Sequence, residues 1–148
     1  MSVDNASENK FLPAEVQTYF KKKLQVEALS FPSNFRELLS NASDKYSDKI
    51  ALNFFEQGNG EQLTFSQVHN NVNQLAHGLT LKGVKKGSHV AVMMTNRIEF
   101  PITWLALAIL GAVMVPVNTT YTGKELDYLI NDSDCDFFIT ENNFLPII

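Results

Sequence analysis

A chain of 148 residues, 45% hydrophobic and 19% charged, has the size and composition of one globular domain, able to bury about two-thirds of the surface its unfolded form exposes. A net charge of −4 with a pI near 5.3 excludes the basic footprint of a nucleic-acid or anionic-membrane binder. A single cysteine, Cys135, excludes an internal disulfide and a multi-cysteine metal site; its apolar-leaning surroundings, without a cationic partner, predict a buried, inert thiol.

Residues 1–12 have neither the basic start nor the apolar core of a signal peptide and read as a flexible leader, which points to an intracellular, cytoplasmic protein. The Asn-x-Ser/Thr matches at Asn5, Asn41, Asn118 and Asn131 then carry no glycan. Pro13 opens a candidate amphipathic helix, on which Lys21, Lys22 and Lys23, flanked by glutamates, form a solvated face. We place a boundary after residue 32, dividing this leader and helix (1–32) from an α/β region (33–148).

In the second region Asn34 and Glu37 match a capping box, followed by a helix with Phe35, Leu38 and Leu39 on a shared face. Ile50–Phe55 reads as a strand, and "EQGNGEQ" as a turn into the short strand "LTF", together a β-hairpin. Thr64 and Gln67 form the next capping box. Val68, Val72, Leu75, Ala76 and Leu79 then make one apolar stripe, ended by Gly83. His89–Met94 is a buried strand. Asn96 and Glu99 propose a helix start, but Pro101 lies too deep for that cap, because its ring would clash with the carbonyl of Arg97; the helix begins later or bends.

The run Phe100–Val117 holds 18 residues, almost all apolar, yet contains Pro101, Thr103, Gly111 and Pro116, whereas a membrane helix needs roughly 20 without strong breakers. Its character changes at Gly111. The Leu/Ala-rich "ITWLALAIL" before it favours helix, and the β-branched "VMVPV" after it favours a short buried strand. Gly111 therefore predicts a left-handed helix stop, both flanking elements read as apolar all round, and Trp104 reads as core. Thr122 and Glu125 cap a further helix with Leu126, Leu129 and Ile130 inward, and Asp136–Thr140 supplies a last strand. Strand, helix, strand, helix, strand at this spacing is a βαβαβ unit with a parallel sheet, so the predicted fold is α/β.

No self-sufficient site emerges. Gly58–Gly60 lacks the third glycine of a dinucleotide fingerprint, with Leu63 in its place, and sits in a hairpin. "GVKKGSHV" has no Gly-Lys-Ser/Thr ending and leads into a strand, so it is no phosphate loop. His69 and His77 point about 80° apart on one helix and lack a carboxylate at ligand spacing. Asp132, Asp134 and Asp136 have no calcium-loop glycine or distal glutamate, and no Gly-x-Ser-x-Gly elbow exposes a serine. No catalytic or metal residue is assigned.

The order of segments nevertheless resembles the opening of the adenylate-forming (AMP-binding) acyl-CoA synthetase superfamily. Leu63, Thr64 and Phe65 match its first signature, with Gln67 and Val68 where the family has Glu and Leu. Gly83 and Gly87 match the following loop, with Ser88 in place of Asp. Leu107, Gly111, Ala112, Val115, Pro116, Val117 and Asn118 are similar to the second signature. Glu99 and Phe100 match the family's Asn-x-Pro-Glu-Phe, but Ile98 fills the proline slot and Pro101 follows, so the helix start is expected to differ locally.

The resemblance runs from about residue 33 to 141 and implies the first subdomain of the acyl-CoA synthetase-like fold. It also implies the N-terminal part of an ATP-dependent acid–CoA ligase of the fatty-acid or carnitine/crotonobetaine branch. The family's phosphate loop, nucleotide-binding motifs and mobile-domain lysine are not in this chain. The chain alone is thus expected to be inactive, with ATP, magnesium and CoA implied for the complete enzyme only. The alternative is a non-catalytic interaction or self-association domain, with an open sheet edge near Phe137, Phe138, Phe144 and Leu145.

Overall fold

The structure, a computed structural model, describes residues 13–56 and 59–148; the leader, the Asn5 motif and the hairpin tip at Gly58 lie outside them. The chain divides into two units, one ending at Pro32 and one spanning Ser33–Ile148.

The first unit contains α1 (Ala14–Glu27), which starts after Pro13. Proline suits a helix entrance because its missing N–H has no partner to lose there. Lys23 and Glu27, one turn apart, form an exposed ion pair at 3.6 Å. The helix buries no residue: Val16, Tyr19, Leu24 and Val26 are all exposed.

The second unit begins with α2 (Phe35–Tyr46). Asn34 Oδ1 accepts from the Glu37 amide at 2.9 Å, but the Glu37 carboxylate accepts from Ser33 N at 2.8 Å rather than from Asn34. The expected inward face is corrected here. Leu39 and Ser43 are buried, whereas Phe35 and Leu38 remain 41% and 48% exposed. β1 (Ile50–Glu56) pairs antiparallel with β2 (Asn59–Thr64), so the hairpin's second strand is longer than "LTF" and Phe65 already belongs to the next helix.

That helix, α3 (Phe65–Leu81), begins with the full capping box: Gln67 N donates to Thr64 Oγ1 and Thr64 N to Gln67 Oε1. Val68, Val72 and Ala76 of its stripe are buried, with Leu75 and Leu79 half-buried beside them. Its end is closed by the Val84 and Gly83 amides, which donate to Leu79 and Thr80 carbonyls at 3.1 and 3.0 Å. A left-handed residue makes that pair of bonds possible, and Gly83 has φ +96°.

β3 (His89–Met93), α4 (Glu99–Leu110), β4 (Val113–Pro116), α5 (Gly123–Asp132) and β5 (Phe137–Thr140) complete the α/β unit. As the displaced cap predicted, α4 starts at Glu99, which puts Pro101 third, within the first turn where helical amides have no carbonyl to lose. The sheet is parallel in the order β4-β3-β5. Its faces bury alternate residues of β3. Val90 and Val92 pack with Val84 and Leu107, while Ala91 and Met93 pack with Val117 and Leu126 of the α5 side. Residues 90–93 are fully buried because helices cover both faces, and this is why the strand is apolar without alternation. A further core joins α2, α3 and α4 through Leu39, Val72, Ile102 and Ala106.

The reading of α4 and β4 as apolar elements covered all round needs two corrections. β4 is an edge strand, with Val113 exposed, and Trp104 is 48% exposed instead of core, meeting Phe35 edge-to-face at 5.7 Å. Apolar character in a helix does not ensure that something covers every side of it. Cys135 is half-buried, its Sγ 3.1 Å from Ser133 Oγ, so the thiol is less enclosed than expected. No helix among the described residues is long and apolar enough to cross a membrane.

Candidate functional site

The densest polar cluster lies beyond the C-terminal ends of β3 and β5, where parallel sheets commonly carry their ligands. The β3–α4 connection supplies Thr95 and Arg97, the start of α4 supplies Glu99, and the residue after β5 supplies Glu141. Arg97 grips Glu99 with two bonds of 2.6 Å, from Nε to Oε2 and from Nη2 to Oε1, and reaches Glu141 Oε2 with Nη1 at 3.1 Å. Glu141 Oε1 also accepts from both the amide and the hydroxyl of Thr95. Thr140 Oγ1 adds a bond to the Met93 carbonyl at 3.0 Å. A cleft of about 440 Å³ opens beside the cluster, lined by Met94, Arg97, Thr140, Glu141, Asn142 and Asn143.

The charges are mutually stabilised. Hydrogen bonding and attraction from Glu99, with Glu141 in support, hold the Arg97 guanidinium charged well beyond any accessible pH. Its hydrogen bonds to Arg97 pull the Glu99 carboxyl below the ordinary range; bonds from the Thr95 amide and hydroxyl do the same for Glu141. A carboxyl whose folded-state pKa is lowered stabilises the fold above its ordinary value, and that contribution is lost as pH falls through the folded value. Acidification below the ordinary carboxylate range should therefore loosen the Thr95–Glu141 contact. In an NMR titration the Thr95 amide resonance is expected to move over that acid range, and Glu141→Gln should abolish the step. A Thr95 titration that persists in E141Q would show another group to be responsible.

Through Glu141, which accepts from Thr95 and Arg97, the cluster ties the end of β5 to the β3–α4 connection. Sequence reading missed it because its partners are 44 and 46 residues apart, Arg97 and Thr95 each meeting Glu141. No periodicity or short motif spans such a gap.

The residues singled out in sequence fall elsewhere. His69 is half-buried and bonds Asn73 at 2.9 Å, and His77 is exposed. Asp132, Asp134 and Asp136 hold no site: among the described residues no group of three His, Cys, Asp or Glu can bind a metal ion. The three glycines with left-handed backbone, Gly83, Gly87 and Gly111, all precede strands, so none opens a helix onto a phosphate.

The two signatures turn out to carry architecture. Thr64 caps α3, and Phe65 packs on Tyr46 at 5.7 Å. Leu107 is fully buried, while Gly111 ends α4 with φ +69° and its carbonyl accepts from Gly87 N at 2.9 Å, joining the two glycine turns. Asn118 Oδ1 accepts from the amide and hydroxyl of Thr120, both at 3.0 Å, shaping the turn after β4.

Comparison with known proteins gives a consistent pattern. The AMP-binding enzyme family matches residues 39–146. Similar proteins include a crotonobetaine/carnitine–CoA ligase of Proteus mirabilis, 36% identical over 115 residues, and one of Salmonella typhimurium, 31% identical over 116 residues. Each match covers 77% of this chain, and the chain spans only 22% of the relatives' length. Among solved structures, a Mycobacterium tuberculosis fatty acyl CoA synthetase is similar with TM-score 0.70 and 29% identity, over 77% of this chain and 22% of that one. The N-terminal subdomain of Klebsiella oxytoca NpsA is similar with TM-score 0.66 and 26% identity, over 74% of this chain and 28% of that one.

Proposed function

Because this chain belongs to the AMP-binding enzyme family, we propose that it serves as the N-terminal part of an ATP-dependent acid–CoA ligase. In that reaction the acid's carboxylate attacks the α-phosphate of ATP and expels pyrophosphate. The CoA thiol then attacks the acyl carbon of the adenylate and AMP leaves. The first step exchanges a poor leaving group for a good one. The observation that carries the reading is the 36% identity to a crotonobetaine/carnitine–CoA ligase across 115 residues. It favours an acid of the carnitine/crotonobetaine or fatty-acid type.

Magnesium and ATP supply charge neutralisation and the leaving group in the complete enzyme. Residues 33–148 supply a folded α/β subdomain, 1–32 a leader and helix, and no catalytic step is assigned to their side chains. A cytoplasmic location belongs to the same proposal, since ATP and CoA are cytoplasmic cosubstrates. So does homo-association through an exposed edge of the sheet, for which the three-stranded topology provides the opening.

The test is to isolate the native polypeptide with an antibody against this chain, read its mass, and assay acid-dependent pyrophosphate–ATP exchange and acyl-CoA formation. The expected result is a species several times 16.6 kDa that performs both, while the 148-residue chain alone performs neither. A native species of the smaller mass without exchange would overturn the ligase reading in favour of a non-catalytic interaction domain.

A further inference from the structure

The sequence contains one Asn-Gly step, Asn59–Gly60, and the fold sets it at the start of β2. Asn59 pairs with Glu56, the last residue of β1, and Gly60 pairs with Phe55. The direction of each β2 amide follows from the strand's far end. Phe65 N donates to the Lys49 carbonyl at 3.0 Å, toward the side of β1, whereas Thr64 N turns away to Gln67 Oε1 at 2.9 Å. Amides alternate along a strand. The irregularity in the register lies between Ile50 and Leu52 of β1 and leaves that alternation on β2 intact. The amides of Asn59, Glu61 and Leu63 therefore face β1, and those of Gly60 and Gln62 face outward.

Gly60 is exposed, and its nitrogen is held by no bond of the β1–β2 ladder. Glycine carries no Cβ to crowd an approach to that nitrogen. The Asn59–Gly60 peptide is tied to β1 only through the Asn59 carbonyl, at the terminal Glu56 pair, where a strand opens first.

We propose that Asn59–Gly60 is a site of spontaneous covalent modification, at which the native chain deamidates and the hairpin loosens. The Gly60 nitrogen loses its proton to base and forms a bond to the amide carbon Cγ of Asn59. The bond from Cγ to the side-chain nitrogen breaks, and that nitrogen leaves as ammonia with a proton from water. A five-membered succinimide results. Water then adds to one of its two carbonyls and the bond from that carbon to the ring nitrogen breaks. Opening at Cγ gives aspartate, and opening at the main-chain carbonyl gives isoaspartate, joined to Gly60 through Cγ. One water is consumed in sum, one ammonia is released, and nothing is oxidised or reduced.

Either product places a new carboxylate at position 59, opposite Glu56 and two residues from Glu61 on the same side of the strand. Like charges directly opposite each other oppose strand pairing. Isoaspartate also adds one carbon to the backbone, which puts the neighbouring pairs out of register.

The 148-residue chain, held for weeks at mildly alkaline pH, should accumulate a form whose formal charge has gone from −4 to −5. Isoelectric focusing reads that form, which should grow faster as pH rises, and peptide mapping should find aspartate and isoaspartate at 59. Asn59→Gln would require a six-membered ring, and Gly60→Ala puts a methyl beside the attacking nitrogen; each should lose most of the acidic form over the same period. A Cβ at Gly60 meets Phe55 Cε1 at 3.2 Å, on an exposed ring free to swing aside, so G60A retains the hairpin. An acidic form that maps to another asparagine, or that grows as fast in G60A, overturns the assignment. Modification that requires urea, with none in the native chain, overturns it too, since the outward amide would then count for nothing. In the modified fraction the amides of Phe54 and Glu61, the next pair facing each other across the ladder, should exchange faster; unchanged exchange there overturns the loosening.

Discussion

Leu107→Ala should remove about 3 kcal/mol from the unfolding free energy, within the 2–5 kcal/mol that a buried leucine commonly costs. Leu107 is fully buried and contacts the face of β3 formed by Val90 and Val92, together with Val84 from the loop before that strand. Its side chain is the point where α4 meets the sheet, so truncation leaves a hole between two rigid elements that cannot both collapse into it. Against a total stability of about 5–15 kcal/mol for a domain, such a loss is severe. A urea titration checks it: the midpoint should fall with little change in slope. A loss under 1 kcal/mol would mean that the α4–sheet contact is loose.

Gly111→Val should cost about 2 kcal/mol through a different cause. Gly111 has φ +69° at the end of α4, and a Cβ added there would stand 3.1 Å from Cγ of Lys86. A β-branched residue is strained in that backbone region, and straightening it would break the Ala112 and Gly111 amide bonds to Leu107 and Ala108 that close the helix. Gly111→Asn tolerates the left-handed region better and should lose less. Equal losses for the two variants would indicate that crowding at Lys86, rather than backbone strain, sets the effect.

Much of the fold was legible because its signals are local. The Thr64–Gln67 box, the Val68–Leu79 stripe and the Gly111 stop each depend on residues within a few positions, and each appears in the structure. Errors arose where burial depends on what lies across a gap. Helical spacing puts Phe35, Leu38 and Leu39 on one side of α2, but only Leu39 is covered. Polar Asn59–Gln62 carried no strand pattern, because an exposed hairpin is held by its partner's backbone rather than by an apolar face. The Arg97–Glu141 link joins two strand ends through a tertiary contact, and no local pattern announces it.

The central position of β3 also governs how the chain is made. Val90 pairs with Met114 and with Phe137, 24 and 47 residues downstream. During synthesis at about 5–20 residues per second, the strand emerges on the order of 2–10 s before its second neighbour exists. Until then the Ala91 and Met93 face of the strand lacks the cover of Phe138, while Val90 and Val92 can already meet Val84 and Leu107. The strand that ends most deeply enclosed therefore waits for its last neighbour, and chaperone capture or aggregation would compete with completion of the sheet.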